Sequence, residues 1–211
     1  MLHYLFYLYN EYVSNVQWIT KNLEYLSHIN NPVKNSGDTV VFKGVVHVVS
    51  LAVSTLAHVK PVVLYGEDGF TILYKRENYH QIQDAFIAFM RREAEKTLPH
   101  EIRTLSQQVN LPFNRLTIRQ TKTRWGSCSS QKNINLNWQL IRVDDRLRTY
   151  VMIHELCHLV HMDHSPDFWK LVAHHCPEYR TLRTHMKKVN PHWIDAMYQG
   201  SFWRQLFMRR V

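Results

Sequence analysis

Cysteine is scarce. Cys128, Cys157 and Cys176 are the only three in 211 residues, an odd number without framework spacing. A disulfide-stapled scaffold is therefore excluded, and a reducing, cytoplasmic setting is expected. No stretch approaches the ~20 apolar residues of a membrane span. The aromatic start MLHYLFYLYNEYV has neither the basic n-region nor the small-residue cleavage site of a signal peptide, so neither export nor a membrane anchor is expected. There is no Walker-type glycine loop, and the carboxylates do not cluster as a magnesium site would require. Acidic residues are outnumbered, 17 against 26 Lys and Arg, which gives a net charge of +9. That balance favours something anionic as a partner, a nucleic acid or nucleotide among them, although a solvated basic surface gives the same count. What remains is 45% hydrophobic and 20% charged, the composition of a soluble globular protein long enough for one sizeable core with or without a small appendage.

The chemistry concentrates in Val151 to Trp169, VMIHELCHLVHMDHSPDFW. His154 and His158 are four apart with Glu155 between them, the HExxH arrangement. On a helix such a pair projects from one face and can share a metal ion. Glu155 lies about 100° round from His154, where it can reach a water at the metal without being a ligand. A catalytic zinc takes three protein ligands and keeps one open position. His164 is the natural third ligand if the helix stops soon after Val160 and the chain turns back. His161, Asp163 and Glu178 are rivals on residue type, as are His174, His175, His185 and His192. Burial of His, Glu and His on an apolar helix requires something that offsets the desolvation cost. Cys157, inside HELCH, is expected to point away and pack as a small apolar residue.

This stretch, with RWGSCSSQKNINLNW from Arg124 to Trp138, closely resembles the YgjP-like family of zinc metallopeptidases, and it shares its HExxH, third His and Phe-Trp pattern with SprT-like zincins. The resemblance covers about residues 79 to 179. It implies a zincin-like domain with one zinc ion held by His154, His158 and His164, and with Glu155 as catalytic base. The spacing also equals that of metzincins, HExxHxxGxxH, but His161 replaces their Gly.

The rest of the chain reads as α+β. Apolar spacing over 5–26 suits an amphipathic helix, and NNPVKNSGD from Asn30 to Asp38 has turn and loop chemistry. β-Branched runs at 39–42, 45–53, 62–65 and 70–74 predict a small antiparallel sheet. A helix is expected from Asn78 or Tyr79 to Leu98, with Pro99 kinking it or dividing it from a segment 100–109. Residues 116–121 and 133–138 alternate as half-buried strands, a hairpin or short sheet beside the zinc helix. Asp144 or Asp145 is the expected N-cap of that helix, and Ser165 with Pro166 opens the next. The expected divisions are 1–78, a helix and small sheet; 79–189, the metallopeptidase domain; and 190–211, an accessory tail.

The leading expectation is peptide hydrolysis through a zinc-activated water, on a peptide or protein substrate lying against a sheet edge as an added strand. Arg124, Asn137 and Tyr179 are candidate substrate-binding residues, with Arg124 and Tyr179 also candidates for oxyanion stabilisation. Trp125 and Trp138 read equally well as core, and Arg124 as an ion-pair partner. Two alternatives stand beside this. The family resemblance also implies a nucleoside triphosphate (UTP) pyrophosphatase, and the basic charge suits a non-enzymatic zinc-stabilised module that binds nucleic acid.

Overall fold

The computed structural model describes residues 34–54, 60–189 and 198–199. The helix expected over 5–26 lies outside them, as does all of the tail from 190 apart from Tyr198–Gln199. The chain divides into two compact units, Met1–Asp38 with Val48–Phe86, and Thr39–His47 with Ile87–Val211. The strands of the N-terminal third are β1 (Lys34–Phe42), β2 (Val45–Val53), β3 (Val62–Gly66) and β4 (Gly69–Tyr74). β1 begins at Lys34, inside the stretch expected to be loop, so tertiary context overrides the turn preference of Asn35 and Gly37.

In the first unit β3 and β4 form an antiparallel hairpin from Val62↔Leu73 to Gly66↔Gly69. β2 runs parallel to β4, from Val49↔Phe70 to Val53↔Tyr74. The expected antiparallel sheet is therefore a mixed one. Alternation of apolar and polar residues marks a strand without fixing its direction, which is set by how the connection crosses. Ala52, Leu64 and Leu73 are buried together on this sheet, with Val62 against them.

The second unit holds the chemistry. Helix α1 (Ile82–Gln108) runs unbroken through Pro99, because the buried positions Ala94, Leu98 and Ile102 continue on one face across it. β5 (Arg115–Arg119), β6 (Gly126–Cys128) and β7 (Asn133–Asn137) make a three-stranded sheet in the order β5-β7-β6. Of the hairpin or short sheet expected over 116–121 and 133–138, the short sheet is what forms. β5 runs parallel to β7, and β6 is the strand antiparallel to β7, from Gly126↔Leu136 to Cys128↔Ile134. Three helices follow, α2 (Asp145–Cys157), α3 (Pro166–His175) and α4 (Tyr179–Lys188); the short β8 (Tyr198–Gln199) pairs antiparallel with Thr39 and Val40. Among the described residues no helix is long and apolar enough to cross a membrane.

Helix α2 is buried on most sides and packs against β6, α3 and α4. Two devices fix it. Asp144 caps it, its carboxylate accepting from the Leu147 N–H at 2.9 Å. The β1–β2 turn docks on the same point: the N–H groups of Lys43 and Gly44 donate to the carbonyls of Ile141 and Arg142 at 2.8 Å each. Gly44 has φ +76°, and a Cβ there would stand 2.5 Å from that of Asp144, so the turn needs glycine on both counts. Arg148, 2% exposed, then ties α2 to α1. Its Nε and an Nη donate to the two Glu101 carboxylate oxygens at 2.6 and 2.8 Å, and it also reaches Asp145 and the Val143 carbonyl. A buried guanidinium with every side paired avoids the penalty of an isolated charge.

Candidate metal centre

The α2 ladder tightens after Cys157. The N–H of Leu159 returns to Leu156 and those of Val160 and His161 to Cys157, so the helix closes on His158 as its C-cap. This stop puts His161 off the helix face. The His158 Nδ1–H donates to the His161 carbonyl at 2.9 Å, which fixes the tautomer and leaves Nε2 of His158 with a free lone pair. The backbone of His161, not its imidazole, therefore serves the site. Ser165 caps α3, its hydroxyl accepting from the Phe168 N–H, and Pro166 occupies the first turn. That combination holds His164 immediately before the helix, as the sequence predicts.

His154, His158 and His164 converge, with one ring nitrogen of each within 4.8 Å of the others. The Nε2 atoms of His154 and His164 are 3.2 Å apart. Two nitrogens on a tetrahedral zinc, each at ~2.0–2.1 Å, stand about 3.3 Å apart, so the triad is spaced as a ligand set. All three donors are imidazoles, suited to zinc. The Phe168 ring lies under them, stacked on His158 with centroids 4.5 Å apart and edge-on to His154 and His164 at 5.0 and 4.9 Å. Trp169 stacks on His164 at 5.6 Å. Burial, reinforced by the neighbouring His158 and His164, lowers the His154 imidazole to about 3, and burial likewise lowers His158. Both therefore stay neutral, the form that binds a cation.

Glu155 is 6% exposed, on the flank of α2 against β6. A Cβ on Gly126 would meet its Cγ at 2.6 Å and its Oε1 at 2.7 Å, so the glycine of RWGSC lets the strand pass over the carboxylate. Burial raises the Glu155 carboxyl to about 8, and the Arg124 guanidinium pulls in the opposite direction. The Cys128 thiol, pushed up to about 11 by burial and by Glu155, stays protonated. Cys157 is buried and pushed up to about 12, first by burial, consistent with an inert apolar role. A cleft of about 790 Å³ opens over the triad, with Arg124, Gly126–Cys128 and Glu155 on one flank and Tyr150, Arg183, Met186 and Lys187 among the others.

Of the residues expected around the metal, Arg124 lines this cleft and two others do not. Asn137 is 1% exposed and its side chain is fully engaged. Its amide donates to the Thr121 and Arg124 carbonyls at 3.0 and 3.2 Å, and its Oδ1 accepts from Gln139. It shapes the loop that carries Arg124 and is not among the residues that line the cleft. β7 ends at Asn137 and a buried 3₁₀ turn begins at Trp138, so the alternation that placed Asn137 outward fails there. Tyr179 is also buried, stacked on Trp169 at 5.4 Å, outside the cleft lining. Among the rivals, Glu178 pairs with Arg146, and Asp163 accepts from the Ser165 N–H.

Tyr150 lines the cleft and was not singled out in the sequence. It stands four residues before His154, hence on the same helix face, and that spacing is the signal that marks it. Burial pushes its hydroxyl up to about 12, so it remains an O–H donor.

The YgjP-like, metallopeptidase domain profile matches residues 12–189. Among proteins of curated function none matches. Among solved structures the chain is similar to the metallopeptidase zymogen of Pyrococcus abyssi abylysin, at 23% identity over 42% of this chain and 90% of that one, with a TM-score of 0.38.

Proposed function

This chain belongs to the YgjP-like metallopeptidase family, and from that premise we propose that it is a zinc-dependent peptidase of the zincin type, using His154, His158 and His164 as ligands and Glu155 as general base. The observation that carries the reading is the convergence of three imidazoles with a buried carboxylate beside them in one open cleft. A zinc ion bound there supplies Lewis-acid polarisation of a water and of the scissile carbonyl. Glu155 accepts a proton from the attacking water and delivers it to the leaving amine as the C–N bond breaks, giving a carboxylic acid and an amine. Its apolar surroundings make it a better proton acceptor than a solvated carboxylate. Tyr150 lines the same cleft, and its hydroxyl is the donor we assign to the developing oxyanion. Phe168 and Trp169 hold the imidazoles and keep water from beneath them.

The test compares zinc-loaded protein on an unstructured peptide library and on nucleoside triphosphates. Peptide cleavage is expected. Gln is nearly the size of Glu but accepts no proton, so Glu155→Gln should keep the zinc while losing about 10² to 10⁴-fold in turnover. Full turnover in that variant refutes the general-base role, and hydrolysis of triphosphates alone refutes the peptidase reading.

A further inference from the structure

The cleft is asymmetric in charge. Arg124, Arg183 and Lys187 line it, and Glu155 is the one carboxylate among its lining residues. Among the described residues none of these three cations has a carboxylate ion-pair partner, whereas Lys75, Lys96, Arg146, Arg148 and Lys170 each have one. Arg183 and Lys187 are one turn apart on α4, so they present to the cleft on a single helix face. Arg183 is also held in place. Its guanidinium lies over the Trp169 ring, 4.3 Å from the centroid, and the same indole stacks on His164.

A guanidinium fixed on an aromatic face keeps its N–H edge free, and the loss of side-chain freedom on binding is small. A carboxylate is the planar acceptor that this fork matches. We propose that Arg183, with Lys187 one turn on, forms a subsite for a carboxylate of the substrate next to the scissile bond, so that the enzyme selects acidic peptides or peptide ends. This rests on the peptidase reading of the same cleft. The carboxylate comes either from an internal Glu or Asp side chain or from a free C-terminus, and both present the same chemistry to Arg183.

The experiment uses sequence-matched peptide pairs and the full zinc-loaded chain. One pair has both ends blocked and carries Glu or Gln beside the cleaved bond; the other has neutral side chains and a free or amidated C-terminus. For the wild type, kcat/KM should favour the carboxylate member of at least one pair by about 10- to 100-fold, the range of a charge-assisted hydrogen bond. The pair showing the preference identifies the source. In Arg183→Gln/Lys187→Gln the ratio should collapse towards one, and in Arg183→Glu/Lys187→Glu it should invert in favour of a Lys-bearing peptide. Ratios within one variant are insensitive to the fraction folded. Affinity of the same pairs for zinc-loaded Glu155→Gln protein gives a readout independent of turnover. Equal rates and equal affinities within both pairs overturn the subsite and leave the peptidase reading intact. If no peptide is cleaved, the peptidase reading falls and the affinity ratios alone judge the subsite.

Discussion

Gly126→Ala isolates the contact between strand β6 and Glu155, the proposed general base. The added Cβ would lie 2.6 Å from Glu155 Cγ, 2.7 Å from Oε1 and 2.8 Å from Cδ. Ordinary carbon contacts are about 3.5–4.0 Å, so either the carboxylate or the strand must give by about 1 Å. Glu155 is 6% exposed, which leaves its side chain little room to rotate away, and the strand is held by its ladder to β7. Overpacking of this kind costs about 1–3 kcal/mol. A displacement of that size at a catalytic group costs on the order of 10²-fold in rate. The expected result is therefore kcat down about 10²-fold with zinc content near one per chain, because the three atoms nearest the new methyl all belong to Glu155. Steady-state kinetics, metal analysis and denaturant unfolding measure the three quantities. A double-mutant cycle sharpens the test: in a Glu155→Ala background the stability cost of Gly126→Ala should largely vanish, since the atoms it strikes are gone. An unchanged cost in that background, or full activity in the single variant, refutes the reasoning.

His164→Ala should weaken zinc binding by more than the ~10- to 100-fold typical of an outer-shell loss, while His161→Ala, which keeps the carbonyl that orients His158, should bind nearly as the parent does; competition with a chromophoric chelator checks both. Burial holds His154 to about 3 and lowers His158 as well, so protons compete weakly for these two ligands at pH 5–6 and should not displace zinc from them there. The same shift has a cost in the metal-free protein. The unfolded state binds the extra proton between about 6.5 and 3, so that protein should lose stability as pH falls through this window, which denaturant titrations at several pH values will show. Glu101→Ala leaves Arg148 buried with Asp145 and a carbonyl as its remaining partners, and because Glu101 is partly exposed the expected loss is about 1–3 kcal/mol, read from chemical unfolding.

The parts of the site legible in the sequence are those set by local geometry. His154, Glu155 and His158 need only the pitch of one helix, and His164 needs only the stop after Cys157 and the Ser165-Pro166 start. Asp144 as N-cap follows from the same short-range logic. Tyr150 obeys it too, one turn before His154, but a tyrosine in an apolar run reads as core until a cleft is seen beside it. Arg183 lies on a different helix, and its place over Trp169 depends on how α3 and α4 fold back. Strand direction was illegible for the same reason: the alternation in 116–121 and 133–138 marks two strands, yet β6 between them takes the antiparallel place and leaves β5 parallel to β7. Asn137 shows the limit of periodicity, since a pattern of two ceases to apply at the residue where a strand becomes a 3₁₀ turn. Pro99 shows its strength, because a continuous buried face outweighs one missing hydrogen bond.

The three proposed ligands have a topological consequence. His154 and His158 already sit on one rigid helix, and a metal joining them to His164 closes a chain segment of only six residues from 158 to 164. That segment is ordered beforehand by the bond from His158 to the His161 carbonyl and by the Asp163 contact to Ser165. The conformational freedom an ion can remove there is small, because short, pre-ordered loops have little entropy to lose. An ion bound at this centre would therefore find its ligands already assembled, in contrast to zinc fingers, whose ligands are brought together only by the ion. Its binding free energy would then add to the stability of a scaffold that is already in place.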